Sequence, residues 1–159
     1  MTAITLLAPV SLSIPLLFLV GVVGGILATL AMDRVMDQVD EGWTPPSVAA
    51  GVLTDTHPDN SPERLATAVH YVAGTLSGPL YVWLLLAVGS VLGTGLLGAV
   101  VAGVVMYPLM VGFFAVVVLP RSTGLPRQRL RAVRRAWATE AGVYLLVLVP
   151  VVGVAAALL

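Results

Sequence analysis

Four ionisable side chains lie within or beside the long apolar stretches of this sequence, and their types suit proton transfer or metal binding. His70 lies inside the second apolar stretch, and Glu140 lies at the beginning of the fourth. Asp33 and Asp37 are four residues apart where the first stretch ends, so a helix places them on one face. A histidine close to several carboxylates can relay protons or bind a divalent cation. The four residues are predicted at a similar depth on three helices, where they form a candidate intramembrane polar cluster.

The same four residues also have a purely structural interpretation, which we favour. A charge at the centre of a bilayer costs about 2.5–3.5 kcal/mol, but this cost falls near the interface. At that depth His70 can be a neutral imidazole bonded to a neighbouring helix. The carboxylates can pair with arginines of the loops. The sequence leaves both interpretations open.

No pattern in the sequence points to catalysis or to a bound cofactor. The chain contains no cysteine, which excludes disulfides, thiolate metal sites and thiol nucleophiles. Paired Glu-x-x-His motifs, phosphate loops and nucleophile elbows are absent, and His70 is the one haem-ligand candidate inside a span. The sequence therefore predicts no catalytic residue, no metal ion, no cofactor and no enzyme activity.

The elements that position these residues follow from an apolar composition. Of the 159 residues, 58% are hydrophobic and 10% are charged, whereas soluble domains carry about 25% charged residues. The mean hydropathy is +1.02, and each uncharged run is long enough to cross about 30 Å of hydrocarbon as a helix. We therefore predict an all-α fold, a polytopic membrane protein whose single domain, residues 1–159, is a four-transmembrane-helix bundle. The net charge of zero argues against a nucleic-acid partner.

Local signals place the ends of the four spans. Serine caps followed by proline, at Ser11–Pro15 and at Ser61–Pro62, predict the starts of the first two spans. The glycine-rich residues 89–95 predict a short outer turn. Residues 1–10 are expected at the membrane interface, and a signal peptide is disfavoured because no basic residue precedes Arg34. The predicted spans are 12–36, 63–88, 95–119 and 137–159.

Two loops of opposite charge are predicted on one face of the membrane. The acidic loop, residues 37–62 with its flanking residues, holds seven acids and two arginines, a net charge of −5. The basic loop, residues 120–136 with Glu140, holds six arginines and one acid, a net charge of +5. We predict that the loops pack together; the alternative is that both are solvated and that the arginines contact lipid headgroups. The arginines available for either contact are Arg127, Arg129, Arg131, Arg134 and Arg135.

The arginines also predict the orientation of the chain and the structure of the loops. Six of the eight lie between the third and fourth spans, so the positive-inside rule places both loops in the cytoplasm and both termini on the non-cytoplasmic side of the cell membrane. Within the loops, residues 44–53 predict a short helix and residues 126–137 a basic interfacial helix that leads into the fourth span.

Small residues recur at intervals of four along three of the spans. In lipid there is no hydrophobic drive between helices, so such residues mark the faces on which backbones approach each other. The pattern does not separate packing within one chain from packing between chains, and we expect either a homo-oligomer or a subunit of a larger membrane complex. The glycines predicted to pack helices are Gly21, Gly25, Gly74, Gly78, Gly95 and Gly103.

Three segments in the first half of the chain carry a resemblance to a group of known proteins. They are Gly-Gly-Ile-Leu-Ala-Thr-Leu-Ala-Met-Asp at 24–33, Glu-Gly-Trp-Thr-Pro-Pro at 41–46 and Arg-Leu-Ala-Thr-Ala-Val-His-Tyr-Val-Ala-Gly at 64–74. The chain resembles small uncharacterised membrane proteins of halophilic archaea. The resemblance implies a location in the cell membrane and no activity.

These observations support two hypotheses about function. The first is a non-catalytic membrane protein that acts as an accessory, assembly or structural subunit, with membrane lipids and other membrane proteins as partners. The alternative is a small transporter or channel. In this alternative, the candidate polar cluster can couple transport to the movement of protons.

Overall fold

The structure is a computed structural model that describes residues 4–158, with side chains from residue 13 onward. Five α-helices account for most of this part of the chain: α1 (Ile4–Met36), α2 (Thr44–Thr54), α3 (Glu63–Leu92), α4 (Leu96–Phe113) and α5 (Arg127–Leu158). Between α4 and α5 the chain makes one π-helical turn, Phe114–Val118, and a short 3-10 helix, Leu119–Arg121. A second 3-10 turn, Pro58–Asn60, precedes α3.

Four of these segments are long and apolar enough to cross a membrane. They are Ser13–Met36, Glu63–Leu92, Leu96–Arg121 and Arg127–Leu158. The predicted all-α fold with a four-helix bundle is therefore confirmed, and the chain is a multi-pass membrane protein. Helix α1 packs against α3 and α5, and α4 packs against the same two helices, so α1 lies diagonally across from α4.

Two ends of this bundle differ in character. The loop end carries α2, the acidic loop and the chain that joins α4 to α5. The turn end carries the short connection at residues 93–95 between α3 and α4, where Gly93 adopts a φ of 77°. Because Gly93 has no Cβ, it can adopt this left-handed conformation without strain and end α3.

The structure corrects several predicted helix ends. Helix α1 begins at Ile4, so the serine and proline at Ser11–Pro15 do not start it, and residues 4–10 are part of the first helix. Helix α3 continues to Leu92, four residues beyond the predicted Val88. Helix α5 begins at Arg127, so the basic segment and the fourth span form one continuous helix. In hydrocarbon each peptide group must find its partner inside the helix, and this requirement overrides weak local stop signals.

Helices α1 and α3 approach each other at backbone distance through their glycines. A Cβ atom on Gly78 would lie 1.8 Å from the Gly21 carbonyl oxygen, and one on Gly25 would lie 2.8 Å from the Thr75 carbonyl oxygen. A Cβ on Gly74 would lie 2.1 Å from the Thr29 hydroxyl oxygen. Any side chain at these positions would push the two helices apart.

The remaining predicted packing glycines behave differently from one another. Gly103 of α4 lies against the Val149 side chain of α5, at 2.7 Å from an added Cβ. Gly95 has no atom within 4 Å of such a Cβ, so it packs no helix within the described part of the chain. It precedes α4 in the outer turn and lies beyond the helix contact. Five of the six glycines are thus used inside the chain.

Buried tyrosines tie the helices together with hydrogen bonds to backbone carbonyls. The Tyr81 hydroxyl of α3 donates to the Ala99 carbonyl of α4 at 2.8 Å. The Tyr144 hydroxyl of α5 donates to the Gly74 carbonyl of α3 at 2.6 Å. Interhelical hydrogen bonds of this kind contribute about 0.6–2 kcal/mol each in a membrane. The Tyr81 bond joins the neighbours α3 and α4, and the Tyr144 bond joins the diagonal pair α3 and α5 across the bundle.

Candidate functional site

Asp33 and His70 meet at the loop end of the bundle. The Nε2 atom of His70 lies 2.7 Å from Oδ1 of Asp33, and the Tyr71 hydroxyl donates to Oδ2 of the same carboxylate at 2.7 Å. His70 is 7% exposed, so the pair is largely shielded. Both oxygens of Asp33 are therefore occupied, and this single carboxylate joins α1 to α3.

Asp37 stands one aromatic ring away from this pair. Its Oδ1 accepts a hydrogen bond from the Trp43 indole nitrogen at 2.9 Å. The same indole packs edge-on against the His70 ring, with ring centroids 6.0 Å apart. Asp37 is exposed, and Trp43 connects it to His70 without direct contact between the two ionisable groups. We call Asp33, Asp37, Trp43, His70 and Tyr71 the polar cluster.

Glu140 lies apart from the polar cluster. It is fully buried, and neither of its carboxyl oxygens has a hydrogen-bond partner among the described residues. Its neighbours at helical spacing on α5 are Trp137 and Tyr144, so it points to the same side of the helix as these two side chains. An ionised carboxylate without a partner would be costly there, which makes Glu140 the most unusual polar group in the described bundle.

The structure thus brings together some of the four predicted residues and separates others. Asp33 and His70 form a close pair, Asp37 is linked to it through Trp43, and Glu140 forms no ion pair with them. No group of three or more His, Cys, Asp or Glu side chains within the described part of the chain has a geometry that could hold a metal ion. The polar cluster can hold a proton between an imidazole and a carboxylate. It offers no set of three ligands.

Arg129 joins the two oppositely charged loops. Its Nε atom donates to Oε1 of Glu41 at 2.7 Å. Its two terminal nitrogens donate to the two carboxylate oxygens of Asp59, at 2.8 and 2.7 Å. Arginine presents the planar fork that such two-point contacts need, and lysine does not. The predicted packing of the acidic loop on the basic segment is confirmed.

The other predicted contact arginines take no part in this junction. Within residues 13–158 none of them forms an ion pair, and each is exposed. They lie on the solvent side of the first turns of α5, because Leu130, Val133 and Trp137 occupy its inner face. The four are Arg127, Arg131, Arg134 and Arg135.

The junction at Arg129 changes the acidity of its two partners. Partial burial of Glu41 raises its pKa, but hydrogen bonds from Arg129 and Thr44 and the positive charge of Arg129 outweigh this effect, so the pKa is lowered overall. The pKa of Asp59 is lowered mainly by its hydrogen bonds from Arg129. Both carboxylates are therefore held ionised at neutral pH.

Two apolar hollows flank the bundle at the level of the spans. One is a cavity of about 610 Å³ between α3 and α4, which reaches His70 and Trp137 beneath α2. The other is a groove of about 920 Å³ between α4 and α5, on the opposite side of α4. We call them the α3–α4 cavity and the α4–α5 groove.

Sequence reasoning missed several residues of the site, for physical reasons. Tyr71 follows His70 directly, and its role as a second donor to Asp33 depends on the angle at which α1 and α3 cross. Trp43 lies in a loop, and nothing in its spacing indicates contact with His70. The hollows depend on which helices are neighbours, which hydropathy does not encode.

Comparison with known proteins gives no match: neither a protein-family model, nor a curated protein, nor a solved structure is similar to this chain.

Replacing Arg129 by alanine should loosen the two loops from each other, because this one side chain supplies the ion pairs that join α5 to Glu41 and Asp59 of the acidic loop. We expect limited proteolysis within residues 55–62 of the purified protein to become about two- to five-fold faster, the range that partly exposed ion pairs give. Arg131→Ala removes an exposed arginine without an ion pair and serves as the control. Equal cleavage rates for the wild type and Arg129→Ala would contradict the assignment.

The same contact should respond to pH with a defined sign. A carboxylate whose pKa is lowered on folding stabilises the fold above its ordinary pKa, and this contribution is lost as the pH falls through the lowered value. The ordinary values are 4.5 for Glu41 and 3.8 for Asp59. The difference in cleavage rate between the wild type and Arg129→Ala should therefore be constant from about pH 7 to 5, begin to shrink near about pH 4, and vanish only as the pH falls through the lowered pKa values of the two carboxylates.

Proposed function

We propose that the chain is a non-catalytic subunit of a protein assembly in the cell membrane, and that it binds a further transmembrane helix in the α4–α5 groove. The proposal rests mainly on one observation, the form of this groove. Its lining contains a single polar side chain, Tyr107, and includes three glycines and two alanines. The residues that line it are Leu96, Ala99, Val100, Gly103, Val104, Tyr107, Gly142, Leu145, Leu146, Val149, Pro150, Gly153, Val154 and Ala157.

The groove has the length of a helix contact. Its α5 wall runs from Gly142 to Ala157, which at 1.5 Å per residue is about 22 Å, most of the hydrocarbon thickness. Its floor is formed by Ala99 and Leu145, which are 2% and 7% exposed. Its rim is formed by large exposed side chains such as Leu146, at 76%. A buried floor that includes small residues such as Ala99 and Gly103, between apolar rims, is a surface on which membrane helices associate.

Of the three glycines that line the groove, Gly103 and Gly153 already face Val149 and Ala99 of this chain, whereas Gly142 is open. A Cβ on Gly142 would have one neighbour, a Tyr107 ring carbon at 3.8 Å. The glycines between α1 and α3 already contact the facing helix of the same chain, so they offer no surface to a second protein. The helix face available for assembly is therefore the α4–α5 groove, and a second copy of the chain is the simplest occupant.

The orientation and location belong to the same proposal. Exposed arginines at the start of α5 support a cytoplasmic position for the loop end, with both termini on the other side. Arg127, Arg131, Arg134 and Arg135 then lie where anionic headgroups of the cytoplasmic leaflet are found, and membrane lipids are proposed as their partners. The resemblance to membrane proteins of halophilic archaea agrees with a cell-membrane location.

Gly142→Leu should prevent assembly without disturbing the bundle, because the new side chain fills the α4–α5 groove and meets no backbone. We expect the wild type in mild detergent to have the mass of two or more chains, or to carry a stoichiometric partner. Gly142→Leu should have the mass of one chain, with at least a ten-fold loss of the assembled form. Light scattering coupled to gel filtration measures both.

Gly112→Leu is the matched control, since an added Cβ at Gly112 of α4 has no neighbour within 4 Å and Gly112 does not line the groove. It should assemble as the wild type does. A wild-type protein that is strictly monomeric in mild detergent and in lipid nanodiscs would overturn the proposal, as would Gly142→Leu with an unchanged mass.

A second candidate function, proton-coupled transport, is favoured by the polar groups at the loop end. The buried pair of His70 and Asp33 can accept and release a proton, and Glu140 adds a fully buried carboxyl without a partner among the described residues. On this hypothesis, the His70–Asp33 pair of the polar cluster accepts and releases a proton at the membrane–water interface of the loop end.

His70→Ala should abolish a pH-dependent flux in liposomes if this second function holds, because it removes the only imidazole in the spans. The matched control is His57→Ala, since His57 lies in the acidic loop and its imidazole bonds only the backbone and carboxylate of Asp59. A pH-sensitive dye enclosed in the vesicles gives the rate. An unchanged flux in His70→Ala, or no flux above empty vesicles in the wild type, would exclude the candidate.

A further inference from the structure

The α3–α4 cavity extends from the lipid-facing surface of the bundle to its centre. Its mouth is formed by side chains that are exposed between α3 and α4, among them Leu76 at 61% and Phe113 at 61%. Its inner wall is formed by Met32, Met106 and Tyr144, which are at most 3% exposed. The cavity therefore opens sideways between two helices, at the depth of the spans.

The loop end of the cavity is closed. Pro45, Pro46 and Ala49 of α2 line it from above. Phe114, the first residue of the π-helical turn, packs against Trp137 with ring centroids 5.0 Å apart. An occupant would thus enter from the bilayer between α3 and α4, and not from the aqueous loops.

Polar atoms in the cavity wall are already paired with protein groups. His70 is bonded to Asp33, and the Tyr144 hydroxyl donates to the Gly74 carbonyl. The Ser77 side chain is hydrogen-bonded to Tyr144, and the Trp137 indole nitrogen donates to the Met110 carbonyl at 3.1 Å. The remaining surface is hydrocarbon, aromatic carbon and methionine sulfur, so the cavity offers a ligand dispersion contacts and few free hydrogen bonds.

Neither water nor empty space suits such a cavity. A volume of about 610 Å³ equals that of about twenty water molecules at about 30 Å³ each, and every buried water needs two to four polar partners. The paired polar groups of the wall cannot supply them. An empty cavity of this size would forfeit the contacts of all its lining side chains, whereas protein interiors are close-packed.

We propose that the α3–α4 cavity binds one hydrocarbon chain of a membrane lipid. The cavity is apolar and of ligand size, is covered by α2 at its loop end, and opens onto the acyl region of the bilayer. The bound chain lies between α3 and α4 and reaches the inner wall at Met106 and Tyr144. It supplies packing that the protein's own side chains leave undone, and it does not depend on assembly through the α4–α5 groove.

Quenching of Trp137 by brominated lipids tests this site, since Trp137 lines the cavity. Trp43→Phe and Trp83→Phe leave Trp137 as the only indole. This protein is placed in vesicles of phosphatidylcholine brominated in the middle of its acyl chains, and the fluorescence is compared with that in unbrominated vesicles. We expect strong quenching. Adding Ala73→Phe, which fills the mouth of the cavity, should reduce the quenched fraction by at least half.

Val72→Phe is the matched control, because Val72 is the adjacent residue of α3, is 58% exposed and does not line the cavity. It should quench as the parent does. Equal quenching in all three proteins would overturn the proposal. If Ala73→Phe loses its helical circular dichroism, Ala49→Phe fills the cavity from α2 and replaces it.

Native mass spectrometry of the wild type gives an independent decision. One phospholipid retained per chain after release from mild detergent, and its loss in the filled variant but not in Val72→Phe, agrees with the site. A lipid-free wild-type chain, or a retained molecule that lacks a hydrocarbon chain, would contradict it.

Discussion

Peptide groups in hydrocarbon have no water to bond, so each must be satisfied within its own helix or by a neighbour. This constraint produces four long helices, and it also removes the hydrophobic force that would bring them together. The helices are instead held together by close contact between their backbones. Helices α1 and α3 meet where Gly21 faces Gly78 and Thr29 faces Gly74, and the Tyr144 hydroxyl bonds the Gly74 carbonyl from α5. Three helices are therefore joined at one small residue, Gly74.

Polar groups at the loop end add specificity to a bundle that packing alone would leave loosely defined. Asp33 of α1 is hydrogen-bonded to both His70 and Tyr71 of α3, and these two bonds fix the position of α1 relative to α3. Arg129 fixes α5 to the acidic loop. Each of these groups lies near the ends of the spans, where the cost of charge is lowest. Glu140 departs from this pattern, since it is buried and its carboxyl oxygens have no partner among the described residues.

The sequence was sufficient for the number of spans, for the short helix α2 and for the attraction between the two loops, because hydropathy and charge encode these features directly. It could not decide whether the glycine stripes pack within the chain or between chains, since a helix presents the same face to either neighbour. It placed His70, Asp33, Asp37 and Glu140 at one depth but could not give their rotation about the helix axes. That rotation pairs the first two and isolates Glu140. The basic helix predicted at residues 126–137 is present, and it continues into the fourth span as one uninterrupted helix.

The fold depends above all on the bilayer, which is the solvent of the four long apolar helices. The most direct measurement is fractionation of cells that express the chain, with washing of the membranes in carbonate at high pH followed by high-speed centrifugation. Peripheral proteins leave the membrane under these conditions, whereas a chain with four crossing helices should remain entirely in the pellet and enter solution only with detergent. A folded, monodisperse protein in the supernatant without detergent would contradict it.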